Sequence, residues 1–167
     1  ERGATKPGTT ERRITERLTA LDRLQFGGKS RTMACSRMTY TAVINRLEKQ
    51  LEKSLARQVL DPNRPDYGAF LHPVHGMASA NHTGNAHDLT TACLLFFADG
   101  SAYEGDERLF ERILLSADFQ RRAQRPSGLI DLESVNWESP PDTGFTIQLL
   151  APVVELARAR VQGDPRA

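Results

Sequence analysis

Net charge is almost absent: 22 Lys and Arg stand against 21 Asp and Glu in 167 residues, a formal +1. A chain this close to neutral lacks the field that draws in nucleic acid or an anionic membrane surface. Cysteine is scarce as well. Cys35 and Cys93 are the only two, too few for a disulfide scaffold and in no CxxC or other metal-ligand spacing, so both read as buried free thiols. No run of about 18 apolar residues occurs, which excludes a membrane-spanning helix. No Gly-x-Ser-x-Gly, Walker or GxGxxG pattern occurs either, so serine hydrolysis and nucleotide binding lack support.

What remains is the composition of a globular domain, 39% hydrophobic and 26% charged, long enough to bury one ordinary core. The chain opens at Glu1 with neither methionine nor a basic-then-apolar leader. That constrains the compartment weakly, favours the cytoplasm, and leaves open that this is part of a longer protein.

Hydrophobic periodicity predicts five helices. Residues 1–8 have no pattern and read as disordered. Ile14, Leu18 and Leu21 draw a stripe on a helix over residues 10–25, and a polar linker runs over 29–39. Residues 1–39 are thus expected to be a leader helix and linker, and 40–167 the main domain. Ile44, Leu47, Leu51, Leu55 and Val59 predict a helix over 40–60, ended by Asp61-Pro62. Residues 85–98, apolar on most of their circumference, predict an inner helix. Asp106 caps a helix to about Gln124 with Leu109, Phe110, Ile113, Leu114 and Ala117 as its stripe. A short strand or hairpin arm is expected over 129–135. The last helix, over 140–161, carries Phe145, Leu149, Val153 and Leu156 at helical spacing, with Pro152 inside it. The fold class is all-α, antiparallel helical hairpins with at most one short β-hairpin.

The stretch "NWESPPDTGF", Asn136 to Phe145, concentrates the chemistry. Ser139 as N-cap, Pro140 in the first turn and Asp142 at the third helical position match a capping box, which is a structural role for both polar residues. Asn136, Trp137 and Glu138 precede that rigid start. An indole face stacks on the C–H side of a sugar ring while amide and carboxylate bond its hydroxyls, so the triplet suits carbohydrate. The plainer alternatives are a packed core residue for Trp137 and a solvated charge for Glu138. The long Pro-, Gly- and His-rich stretch from Pro62 to Gly84 holds Tyr67, His72, His75 and His82. His72-Pro-Val-His75 has a spacing seen in some metal sites, but with a proline inside it and no third ligand nearby no metal is expected. His72 or His82 suits a general base or a hydrogen-bond donor to a uronate carboxylate.

Residues 40–160 resemble bacterial carbohydrate-active proteins of the (α/α)-toroid type, heparinase II/III-like and related β-glucuronidase-type glycoside hydrolases. The resemblance rests on "RLEKQLEKSLARQVLDPNRPDYGAF", on the apolar stretch from Thr90 to Leu132, and above all on "G-x-I-D-L…N-x-x-S-P-P-D-T-x-F". Gly128, Ile130, Asp131, Leu132, Asn136, Ser139, Pro140, Pro141, Asp142, Thr143 and Phe145 match that last pattern. It implies part of a toroid, its N-terminal portion, in an enzyme cleaving uronic-acid-containing glycans without a cofactor. For hydrolysis the two carboxyl groups would be Glu138 and Asp142. For β-elimination the set would be Asn136 with His72, His82 or Tyr67. The expected partner is an oligosaccharide or polysaccharide, with no nucleic acid and no membrane. A non-catalytic glycan- or protein-binding helical module, or a truncated product without activity of its own, are the rival expectations.

Overall fold

The computed structural model describes residues 39–132 and 136–161. The helix expected over 10–25 and most of the linker after it lie outside the described residues. Within them the protein is mostly helical, with one small antiparallel sheet. The order is α1 (Tyr40–Leu55), α2 (Asn85–Phe97), α3 (Glu107–Arg122), β1 (Ile130–Leu132), β2 (Asn136–Ser139) and α4 (Pro140–Val161).

Each helix begins where a side chain or a turn supplies the missing partner for its first N–H groups. Thr39 Oγ1 accepts from Ala42 N at 3.3 Å at the head of α1, and Asp106 Oδ1 accepts from Leu109 N at 2.8 Å at the head of α3. Helix α1 stops at Leu55 rather than running on to Leu60. Beyond it the backbone is claimed by another segment: Val59 N donates to Ala69 O at 2.9 Å, and Leu71 N to Arg57 O at 3.2 Å. The apolar Val59 is buried by that extended pairing and not by a helical stripe.

Helix α2 is the centre of the packing and lies against α1, α3 and α4. Its Leu89, Ala92 and Leu95 meet Ile44 and Leu51 of α1, Leu109 and Ile113 of α3, and Val153 of α4. A helix covered on three sides needs apolar residues around most of its girth, which is what "DLTTACLLFF" provides. Its Cys93 thiol is pushed up to about 11 by burial, which leaves it protonated and unreactive at neutral pH. A second, smaller core joins Ala69, Ala80, Phe119 and Ile130, and seats the long loop and the hairpin on the end of α3.

Phe110, Leu114 and Phe145, expected on inward stripes, are instead 44%, 53% and 53% exposed. The register of α4 is set at its start, where Thr143 Oγ1 donates to Ser139 O at 2.7 Å and accepts from Ile130 N at 3.0 Å. Those bonds turn Thr143, Thr146 and Val153 inward, and Phe145 outward with them. Phe110 and Leu114 border an open apolar groove between α3 and α4.

One turn in the long loop admits only glycine. Gly68 has φ +91°, and a Cβ there would lie 2.1 Å from the Leu115 carbonyl oxygen. Gly68→Ala is therefore expected to lower unfolding free energy by about 2–4 kcal/mol. Urea denaturation measures it; a change below about 0.5 kcal/mol would mean that the loop and α3 do not approach this closely.

Candidate functional site

The β1–β2 hairpin runs directly into α4, and the junction gathers the polar residues of "NWESPPD". Antiparallel pairing sets Ile130 opposite Ser139 and Leu132 opposite Asn136. Ser139 is wholly buried and its hydroxyl is shared. It donates to Asp142 Oδ2 at 2.5 Å, and it accepts from Asn136 Nδ2 at 3.1 Å and from Asp142 N at 3.4 Å. This is a capping box in altered form. The acid at the third helical position holds the cap hydroxyl, because Ser139 already belongs to a strand.

The other carboxylate oxygen of Asp142 lies 3.9 Å from His82 Nδ1. The His82 ring also packs against Phe145, with centroids 5.0 Å apart. Its Nδ1 is buried and has no hydrogen-bond partner among the described residues. Asp142, an acceptor only when ionised, is the group that faces it. A contraction of about 1 Å would turn this approach into a hydrogen bond, the kind of tightening that accompanies substrate binding. With Nδ1–H turned to Asp142, Nε2 keeps its lone pair.

Glu138 sits apart from that cluster. Its carboxylate accepts from Ser127 Oγ at 2.6 Å, and its backbone N–H donates to Asp131 Oδ1 at 2.9 Å. It also has φ +48°, a conformation uncommon for a residue with a side chain, held by those two bonds. Asp131 is gripped in turn by Arg125, whose Nε donates to Oδ2 at 2.8 Å. The Arg125 guanidinium, then the Glu138 N–H, hold the Asp131 carboxyl below the usual range. Arg125 also lies 5.3 Å from the centre of the Trp137 ring. Trp137 is 74% exposed, so it is neither core nor staple, and the Arg125 contact leaves most of the indole open to solvent.

His72 and His75 meet each other in the long loop. Their rings stack in parallel, 3.9 Å between centroids and 3° between planes. Each Nδ1 accepts a backbone N–H two residues on, from Val74 and from Met77, both at 3.2 Å. An Nδ1 that accepts is unprotonated, so both rings are Nε2–H tautomers. Metal ligation through Nε2 would require moving that proton to Nδ1 and breaking the backbone bond. No cluster of three or more metal-ligating side chains occurs among the described residues.

Tyr67 is half-buried, and its carbonyl accepts from Arg122 Nη2 at 2.6 Å. No hydrogen bond among the described residues joins it to the other candidates. Three groups thus emerge from the sequence-derived set: His82 with Asp142 and Asn136, Trp137 with Glu138 on the hairpin's other flank, and His72 with His75. Sequence reasoning missed the hub Ser139 Oγ as a link between Asn136 and Asp142. It also missed Asn81 and Asn85, whose only signal was amide residues inside a loop expected to be functional.

Family models, curated proteins and solved structures were compared with the chain, and none matches. Geometry and chemistry are therefore what a functional reading can stand on.

Proposed function

We propose that this chain is part of a carbohydrate-active enzyme of the (α/α)-toroid type that cleaves uronic-acid-containing glycans, by β-elimination in preference to hydrolysis. The observation that carries the choice is the approach of His82 Nδ1 to the Asp142 carboxylate at 3.9 Å. Asp142 is itself held by Ser139, and Ser139 by Asn136. A carboxylate that orients an imidazole through Nδ1 makes Nε2 a base. In elimination the base takes the C5 proton of a uronate, the electron pair becomes the C4–C5 double bond, and the C4–O bond breaks. The leaving oxygen then takes a proton from the imidazolium or from solvent. Hydrolysis has less support, because Glu138 is engaged by Ser127 while Asp142 is engaged by Ser139 and His82.

A toroid accounts for two features of the packing. An apolar inner helix, α2, is lined by amphipathic neighbours, and the groove between α3 and α4 is the side that a further helix would cover. The rival of a glycan-binding module without catalysis is favoured by the exposed Trp137, since an indole open to solvent is a stacking surface for a sugar ring.

Incubation with uronate-bearing polysaccharides is expected to raise ultraviolet absorbance from the conjugated C4–C5 double bond. New reducing ends without that absorbance would transfer the assignment to hydrolysis. Quenching or a shift of Trp137 emission with no product of either kind would establish the binding module instead. No response in any of the three would sink the glycan reading.

A further inference from the structure

A cavity of about 550 Å³ lies under the long loop, lined by His72, His75, Ser79, Asn81, Thr83, Gly84 and Leu132 among others. It carries no acidic side chain and no Lys or Arg. The polar atoms left unused in it are donors. Both histidines spend Nδ1 on the backbone, so the free polar atom of each ring is Nε2–H. Asn81 is 5% exposed, and its Oδ1 accepts from Thr83 N at 3.0 Å and from Thr83 Oγ1 at 2.9 Å. That fixes the amide with Nδ2 as its remaining edge, and Nδ2 donates to no other described residue.

We infer that this cavity is a carboxylate-binding site in which His72 Nε2–H, His75 Nε2–H and the Asn81 amide donate to the acid group of a small acidic sugar. The stacking of the two rings sets two N–H donors side by side, and a carboxylate presents two oxygens that accept and nothing that donates. Buried donors without acceptors are costly, and an anion supplies what water alone satisfies incompletely. A neutral sugar hydroxyl would bring its own hydrogen, for which these three groups offer no acceptor.

The inference deepens the uronate reading and takes its ligand class from it, but the two fail separately. The site lies next to the proposed base in the chain, since Asn81 precedes His82, and Leu132 pairs with Asn136 across the hairpin. The acid group held here and the proton removed at His82 would then belong to neighbouring positions of one glycan.

The test is a titration of the isotope-labelled full chain with glucuronate, glucose and inorganic sulfate, followed by the His72 and His75 imidazole signals and the Asn81 side-chain amide. Glucuronate is expected to shift all three, and glucose none. Asn81→Asp keeps the acceptor for Thr83 but replaces the donor with a negative charge. It should weaken glucuronate about tenfold or more with the circular dichroism unchanged. His72→Gln with His75→Gln should do the same. Equal responses to glucose and glucuronate would overturn the inference, as would preference for sulfate. Binding of added zinc at the two histidines would overturn it too, because it requires the other tautomer. Glucuronate binding without turnover of any polymer would leave the site standing and remove the enzyme; turnover with undiminished acid selectivity in Asn81→Asp would do the reverse.

Discussion

Asn85→Leu is expected to destabilise the protein by about 3–6 kcal/mol, enough to unfold a large fraction of a domain of ordinary stability. Asn85 is wholly buried at the first position of α2. Its Oδ1 accepts from Phe70 N at 3.0 Å and from Ser116 Oγ at 2.9 Å. Its Nδ2 donates to Gln120 Oε1 at 3.0 Å and to Ser116 O at 3.3 Å. One amide therefore ties the long loop, α2 and α3 together, and Gln120 extends the tie to Ala80 O at 2.6 Å. Leucine is close in volume, so the loss would come from orphaned polar groups and not from an empty space. Urea titration of the two proteins decides it, and a loss under about 1 kcal/mol would mean that water reaches these groups. Asn85→Asp separates the terms, keeping the two acceptor bonds while setting a carboxylate oxygen against Gln120 Oε1.

The second large effect concerns turnover. His82→Ala should reduce the rate of double-bond formation by about 10²–10⁴-fold, the usual contribution of a general base. Asp142→Asn keeps the shape and presents an amide to His82, so it should lower kcat with less change in KM, as expected of a positioning residue. Its pH–rate profile should shift as well, which loss of the helix cap alone would not cause. Cap loss would appear as a stability change of about 1 kcal/mol. Glu138→Gln is the counter-test. Activity retained there and lost in His82→Ala supports elimination, whereas the opposite pattern restores Glu138 as the acid of a hydrolase.

Helix existence was readable because burial here follows period: α2 has apolar residues all round and is packed on three sides. The ends were less readable. α1 stops early because Arg57 and Val59 find backbone partners some twelve residues further on, and no local pattern announces a long-range pair. Outward Phe145 has a comparable cause, since the rotation of α4 is fixed by Thr143 bonding to Ile130 across the hairpin. At the site, the spacing Ser139-x-x-Asp142 marks a cap whatever the tertiary fold. The approach of His82, sixty positions earlier, is invisible without the fold. Tautomers are further still from the sequence, because His72 and His75 owe theirs to the turn that each one closes.

Thr143 and Ser139 do more than begin a helix. Ser139 is the last residue of a strand and the cap of α4, while Thr143 Oγ1 reaches back to both strands. Neither the hairpin nor the first turn of α4 can open alone without stranding a buried group of the other. Strand and helix are therefore a single unit of local unfolding. Asp142, poised in that unit, has no intermediate positions: its carboxylate is either presented to His82 with the whole junction closed, or released with all of it.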